Sequence, residues 1–365
     1  MKRLRLTLLA LMALSLSALS GCGFRDIDKR FFVVAMGIDP TDKGAKGYKI
    51  TLRLAVPSPK VEPGAGKNEF LTMDATSIAE AVRLLKSHVD KELDFGHCKV
   101  FVIGEQLARR DYTEILRWLS RRRDVQSIAF MSVGQPDAKT IVEVEPKTER
   151  YPGNTLFLMF GKDGTQSSYL VPIYMFDFIR RHEEHGLDPI LPVIRADDSG
   201  YAITRIALLN KTKLVDIVSP AETETYSQIR YQDSKSTVAA VKDGVTMVIN
   251  VDNIASHYKF ANVNGEQVLQ LRLNVSGIFE EAPIGVYGEN WTELEGIFNA
   301  QIAAEIKKFL KKAQRDEVDP FGFGLRYRAT HAGTEQTWRD WQRIYPQLKF
   351  DVKVKVKIEG TGLVK

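Results

Sequence analysis

From Phe350 to Ile358 the chain reads FDVKVKVKI, an apolar residue at every second position with polar residues between. A two-residue period puts Phe350, Val352, Val354, Val356 and Ile358 on one face of a strand. Lys353, Lys355 and Lys357 then line the other. Upstream, Leu294, Ile297, Phe298, Ile302, Ile306, Phe309, Leu310 and Ala313 recur at spacings of three and four. That is one apolar stripe over about six helical turns. Asn290 stands at its N-cap with Glu293 at the box position. Lys307, Lys308, Lys311 and Lys312 crowd the other end, where cations suit the helix dipole, and Asp319-Pro320 ends it. A shorter helix holds Trp338, Trp341, Ile344 and Tyr345. A long helix laid on the alternating strand buries both stripes.

The N-terminal half alternates differently. FFVVAMGI (31–38) is a strand-like apolar run, and YKITLRLAV (48–56) suits a half-buried strand. Asp39-Pro-Thr-Asp-Lys-Gly between them is turn chemistry, so the pair reads as a hairpin. Residues 57–68 are a Pro/Gly-rich loop. Ser77 with Glu80 forms a capping box, and Ile78, Ala81, Val82, Leu85 and Val89 follow at helical spacing. A strand is expected over Lys99–Ile103, and a second helix from Asp111 with Ile115, Leu116, Trp118 and Leu119. SIAFMSV (127–133) is again a strand. Shorter helical pieces follow at Ala138–Val144 and Ser168–His185. Pro189, Pro192 and the cluster at 196–200 read as a boundary. From Tyr201 successive strand-like runs with turn signals suggest an antiparallel sheet.

The first residues obey neither period. Lys2, Arg3 and Arg5 precede an apolar run from Leu6 to about Leu19, which ends in Leu19-Ser20-Gly21-Cys22. The run is too short for a bilayer core of about 30 Å and has the size of a signal-peptide core. The tetrad resembles a bacterial lipobox. Cleavage there leaves Cys22 as the first residue, carrying a diacylglycerol; two acyl chains suffice for stable attachment where one is marginal. Of the formal charge of +5, Lys2, Arg3 and Arg5 carry three, which leaves +2 for the rest. That balance gives no argument for nucleic acid. The chain has two cysteines. With Cys22 lipidated, Cys98 has no partner and no disulfide framework is expected. In HCKVFVIG it reads as a small buried hydrophobe.

Few residues suggest chemistry. His182 and His185 in HEEHG sit at i, i+3, whereas zincin ligands sit at i, i+4 with a Glu between. A polar helix end before Gly186 is the plainer reading. Gly64-Ala-Gly-Lys67 lacks the first glycine of a phosphate loop, and Asn68 stands where Ser or Thr would bind magnesium. Neither a nucleophile elbow nor a Ser-His-Asp signature is found. Catalytic residues, a metal site and a cofactor are therefore not expected, and neither is an enzyme. Arg121, Arg122 and Arg123, at a helix C-terminus, either complement its dipole or meet anionic headgroups. Lys353, Lys355 and Lys357 are an edge device, a solvated face or a contact for an acidic partner.

Several segments together resemble one family. They are the lipobox, then RDID and FFVVAMGIDP, GHCKVFVIGEQLAR (96–109), LSRRRDVQSIAFMSV (119–133), KKAQRDEVDPFGFG (311–324) and TWRDWQRIYPQLKFDVKVKVKIEGTG (337–362). The chain is similar to the C-subunit lipoproteins of spore germinant receptors, the Ger(x)C family. Pro320 stands where an aliphatic residue would be unsurprising, and it still fits the turn. The resemblance implies a non-enzymatic lipoprotein, carrying palmitate-type chains, on the outer leaflet of the inner spore membrane. It implies assembly with an A-type and a B-type integral membrane subunit in nutrient-triggered germination. It implies a three-domain α+β fold, and the pattern along the chain gives a multi-domain α+β fold of two to three units, with mixed or antiparallel sheets and packed helices. The expected division is a signal peptide at 1–21, an N-terminal α+β region at 22–198 (31–135 plus a middle unit, 136–198) and a C-terminal α+β domain at 199–365. The competing readings are an anchored solute-binding lipoprotein and a zinc hydrolase at His182 and His185.

Overall fold

The computed structural model of the chain describes residue 3 and residues 29–41, 47–56, 67–147, 153–161, 167–197, 200–232, 235–283 and 285–361. The lipobox, Cys22 included, lies outside the described residues, as does most of the loop expected at 57–68.

The apolar run after the tether becomes β1 (Arg30–Pro40), antiparallel to β2 (Tyr48–Val56) as the turn chemistry predicts. β2 continues to β3 (Lys67–Ala75), a strand the pattern does not announce. It is a sheet edge, and its described side chains are partly exposed, so its apolar alternation is faint. α1 (Ile78–Lys86) follows and buries Ile78, Ala81, Val82 and Leu85. Ser77 Oγ accepts from the Glu80 N–H at 3.1 Å, but the Glu80 carboxylate accepts from the N–H and hydroxyl of Thr76. The box is thus displaced by one residue. β4 (Glu92–Asp94) and β5 (Val100–Gly104) run parallel to β1. α2 (Glu105–Arg110) and α3 (Thr113–Ser120) lead back to β6 (Phe130–Gln135), parallel to β5. Val100 and Val102 face one layer and Phe101 and Ile103 the other. A strand covered on both faces carries no polar alternation, which is why VFVIG is apolar throughout.

α4 (Ala138–Glu143) and α5 (Asn154–Phe160) cover one face. α6 (Met175–Glu183) packs on the opposite side and begins seven residues later than expected, after the extended segment at 171–174. The stretch read as a boundary is instead β7 (Ile190–Asp197), parallel to β6. β7 turns antiparallel into β8 (Gly200–Leu209) and β8 into β9 (Leu214–Ile217). Among the described residues the first sheet has nine strands in the order β3-β2-β1-β5-β6-β7-β8-β9, with β4 beside β1. The expected division at 198/199 therefore falls between β7 and β8, and the first sheet runs on to Ile217. The chain leaves it through α7 (Pro220–Tyr231), whose Ser219–Glu222 capping box is complete.

The second sheet is antiparallel along β10 (Thr237–Lys242), β11 (Val245–Val263) and β12 (Glu266–Glu281). β11 is a single 19-residue strand. α8 (Trp291–Arg315), α9 (Phe323–Thr330) and α10 (Glu335–Ile344) precede β13 (Lys349–Gly360), which pairs parallel with β12. α8 lies on this sheet and buries Leu294, Phe298, Ile302, Ile306, Phe309, Leu310 and Ala313. It also holds both sheet edges. Gln301 exchanges hydrogen bonds with the N–H (2.9 Å) and carbonyl (2.7 Å) of Val241 on β10. On β13, Val356 N–H donates to Asn299 Oδ1 (2.7 Å) and Ile358 N–H to Glu295 Oε1 (2.9 Å). The open edges that invite another strand are closed by polar side chains of the helix.

Candidate interaction surfaces

The segment with the two histidines joins the two sheets. Lys211, in the β8–β9 turn, donates to the carbonyls of Arg181 (2.5 Å), Glu184 (2.7 Å) and Leu187 (2.6 Å), which caps the C-terminus of α6. Arg181 is buried and paired with Asp177 at 2.9 Å. It also donates to the carbonyls of Asp188 and Pro320. Asp188 and Asp319 are joined by two hydrogen bonds: Asp188 N–H donates to the Asp319 carbonyl (2.8 Å), and Asp319 N–H donates to Asp188 Oδ2 (2.7 Å). Asp319 in turn accepts from the N–H groups of Gly322, Phe323 and Gly324, which start α9. Burial, with Asp188 adding to it, pushes the Asp319 carboxyl up to about 7 against those three donors.

The histidines are engaged separately. His182 Nδ1 lies 3.3 Å from the Tyr112 hydroxyl, and the His185 ring stacks on Trp338 at 4.9 Å. Arg328 pairs with Glu184 and donates to the His185 carbonyl. HEEHGLDP is thus docked on DPFGFG. No group of three or more His, Cys, Asp or Glu able to hold a metal occurs among the described residues. Cys98 is buried, and burial raises its thiol pKa far above the ordinary value, so it is no ready nucleophile.

The open surfaces are basic. A groove of about 770 Å³ runs between α1 and α3. Ile78, Val82, Leu107 and Trp118 give it apolar contact area. Arg83, Lys86, Arg110, Arg117, Arg121 and Arg122 line it against Asp111 and Glu114. Arg117 is paired with Glu114, and Asp111 accepts from the backbone and hydroxyl of Thr113. Arg83, Lys86, Arg110 and Arg121 have no carboxylate partner among the described residues. Such a field draws anions.

The arginine triplet is split. Arg122 is tied to Asp124 (Nε to Oδ1, 2.7 Å) and lies over the rings of Phe95 (4.8 Å) and Trp118 (5.1 Å). Arg121 and Arg123 are exposed. On the second sheet, Lys353, Lys355 and Lys357 are exposed on the face away from α8, in register with Arg272, Asn274 and Ser276 of β12. Lys357 reaches Glu359 at 3.5 Å. The lysines lie on β13 of the second sheet, and the arginines in the loop that leads from α3 to β6 of the first.

Residues 23–196 match the family described as "Spore germination protein N-terminal domain", and residues 204–362 match "Spore germination B3/ GerAC like, C-terminal". Spore germination protein KC of Bacillus subtilis (strain 168) is 24% identical, over 98% of this chain and 96% of that protein. The putative spore germination protein YfkR of the same organism is 22% identical over 95% of this chain and 94% of that one. Spore germination protein GerQC of Bacillus cereus is 21% identical over 82% and 84%. The crystal structure of the GerBC protein superposes with a TM-score of 0.58 at 16% identity, covering 89% of this chain and 96% of that one.

Proposed function

The chain belongs to the Ger(x)C family of spore germination proteins, and from that premise we propose that it is the lipid-anchored C subunit of a nutrient germinant receptor. Cys22 carries the lipid. The protein sits on the outer leaflet of the inner spore membrane and supports germination by contact with an A-type and a B-type membrane subunit, without catalysis. The observation that carries this reading is positional. The first family match begins at residue 23, immediately after the lipobox cysteine, and the second ends at residue 362.

Other features support it. No helix among the described residues is long and apolar enough to cross a membrane. The two sheets, of nine and four strands, are unlike and share a buried polar junction. A solute-binding protein instead closes two alike lobes over a hinge. The test is fractionation of spores carrying Cys22→Ala, with mass spectrometry of the native N-terminus. The expected outcome is a folded protein lost from the membrane fraction after a high-salt wash, and a wild type that brings two multi-span proteins with it from detergent extracts. Wild-type retention and germination in the variant would refute the proposal.

A further inference from the structure

The end of the first sheet where the tether enters differs from the rest of the surface. β1 begins there, at Arg30, beside the start of β4; β5 and β6, parallel to it, begin level with Ala35, so all four strands start toward this end of the sheet. Residues 92–97 and 123–126 face Arg30 across one cleft. Ser127 and Ala129, just before β6, accept from the N–H groups of Phe176 and Met175, which brings the start of α6 to this edge.

Three large apolar side chains are exposed here: Ile128 at 58%, Phe176 at 49% and Tyr174 at 36%. Tyr174 and Phe176 stack at 5.5 Å, and Tyr174 stacks on Phe130 at 4.7 Å, so the aromatic pair is held rigid. In the loop that carries Ile128, Arg121 and Arg123 are exposed and have no carboxylate partner among the described residues. Two nearby carboxylates are internally spent: Asp94 on Arg30 and Asp124 on Arg122. Glu92, the exposed first residue of β4, lines the same cleft, with Asp90 and Lys91 just before it; the positive contrast lies at the arginine loop.

We propose that this edge is a membrane-contact surface. Ile128, Tyr174 and Phe176 enter the headgroup layer while Arg121 and Arg123 meet the phosphates of anionic lipids. The inference rests on the lipid anchor at Cys22 for its geometry. Residues 23–29 span at most about 25 Å even if fully extended, which keeps this edge within reach of the bilayer. Exposed aromatic and aliphatic residues flanked by arginines are what an interfacial contact requires. The patch supplies the second, electrostatic signal beside the acyl chains.

The experiment uses the unlipidated mature chain, residues 23–365, which contains every element described. Its partitioning is measured on vesicles of phosphatidylcholine alone and on vesicles with about one third phosphatidylglycerol. Binding is expected on the anionic vesicles only, and added salt should weaken it. Arg121→Ala/Arg123→Ala should lower it about 30-fold, at about fivefold per charge. Ile128→Asp or Phe176→Asp should abolish it, with urea midpoints unchanged. Equal binding to both vesicle types, or variants that bind like wild type, would overturn the proposal. It also falls if no vesicle binds and the same variants lose co-purification with the membrane subunits, because the edge is then a protein dock. The chain in this assay carries no lipid, so an outcome here is independent of the Cys22→Ala fractionation.

Discussion

Gly186→Ala should break the junction between the sheets, and the structure sets the size of the effect. Gly186 has φ +83°, and a Cβ there would lie 2.5 Å from Leu325 N and 2.8 Å from Gly324 Cα, with Gly324 C closer still. These are backbone atoms that cannot swing aside. Gly186 O also accepts from the Leu325 N–H at 2.8 Å, so any relief moves a hydrogen-bonded pair. Gly244 is the control: its φ is +81°, and a Cβ there meets nothing within 4 Å. Both substitutions carry the left-handed cost of about 1–2 kcal/mol, partly offset by about 0.4–1 kcal/mol from a stiffer unfolded chain. These contributions cancel in the comparison. What remains is overpacking, about 1–3 kcal/mol for Gly186→Ala beyond Gly244→Ala. Urea unfolding of the two variants of the mature chain measures the difference. Equal losses, within about 0.5 kcal/mol, would show that HEEHGLDP and DPFGFG are not packed as described.

Asp39 is buried and accepts the N–H groups of Ala138 and Lys139 at the start of α4; burial pushes its carboxyl up to about 6 in spite of them. Between about pH 4 and 6 the folded chain therefore holds a proton that the unfolded chain has released, and this contribution to stability falls as pH rises. Asp39→Asn should flatten the urea midpoint against pH across that window, by up to about 3 kcal/mol at 1.4 kcal/mol per pKa unit; an unchanged slope contradicts it. On α8, Phe298→Ala should cost about 3–5 kcal/mol, since the side chain is fully buried and its ring lies 6.3 Å from that of Phe279. Lys355→Ala, on the exposed face of β13, should stay within about 0.5 kcal/mol of wild type in the same measurement. Similar losses in the two would place β13 with its faces reversed.

Much of the site-bearing architecture is written locally. The strict alternation of 350–358 fixes which side of β13 meets α8, because a one-residue slip would turn every valine outward. The stripe from Leu294 to Ala313 fixes the buried face of α8. The lipobox fixes, as an expectation, where the lipid goes. α7 was legible too, through Ser219, Pro220 and Glu222. It was missed because its buried face includes Thr223, Ser227 and Gln228, which leaves no apolar stripe to follow. β3 escaped for the related reason that an edge strand shows little contrast between its sides.

Partnership was decided by the tertiary structure alone. Periodicity reports how one element contrasts with solvent, and it is silent about which strand lies alongside. So β7 joins β6 across what reads as a boundary, and β13 runs parallel to β12 where an antiparallel sheet was expected. The polar residues show the limit most clearly. Glu295, Asn299 and Gln301 lie outside the apolar stripe of α8, and they bond the two edges of its sheet. His182 and His185 read as a metal pair or a frayed end, and they lie in the docking segment of two units. Asp188 and Asp319 meet across 131 positions. A hydrogen bond between residues so far apart leaves no mark in either local pattern. The chain specifies each surface locally, and only folding decides which surfaces meet.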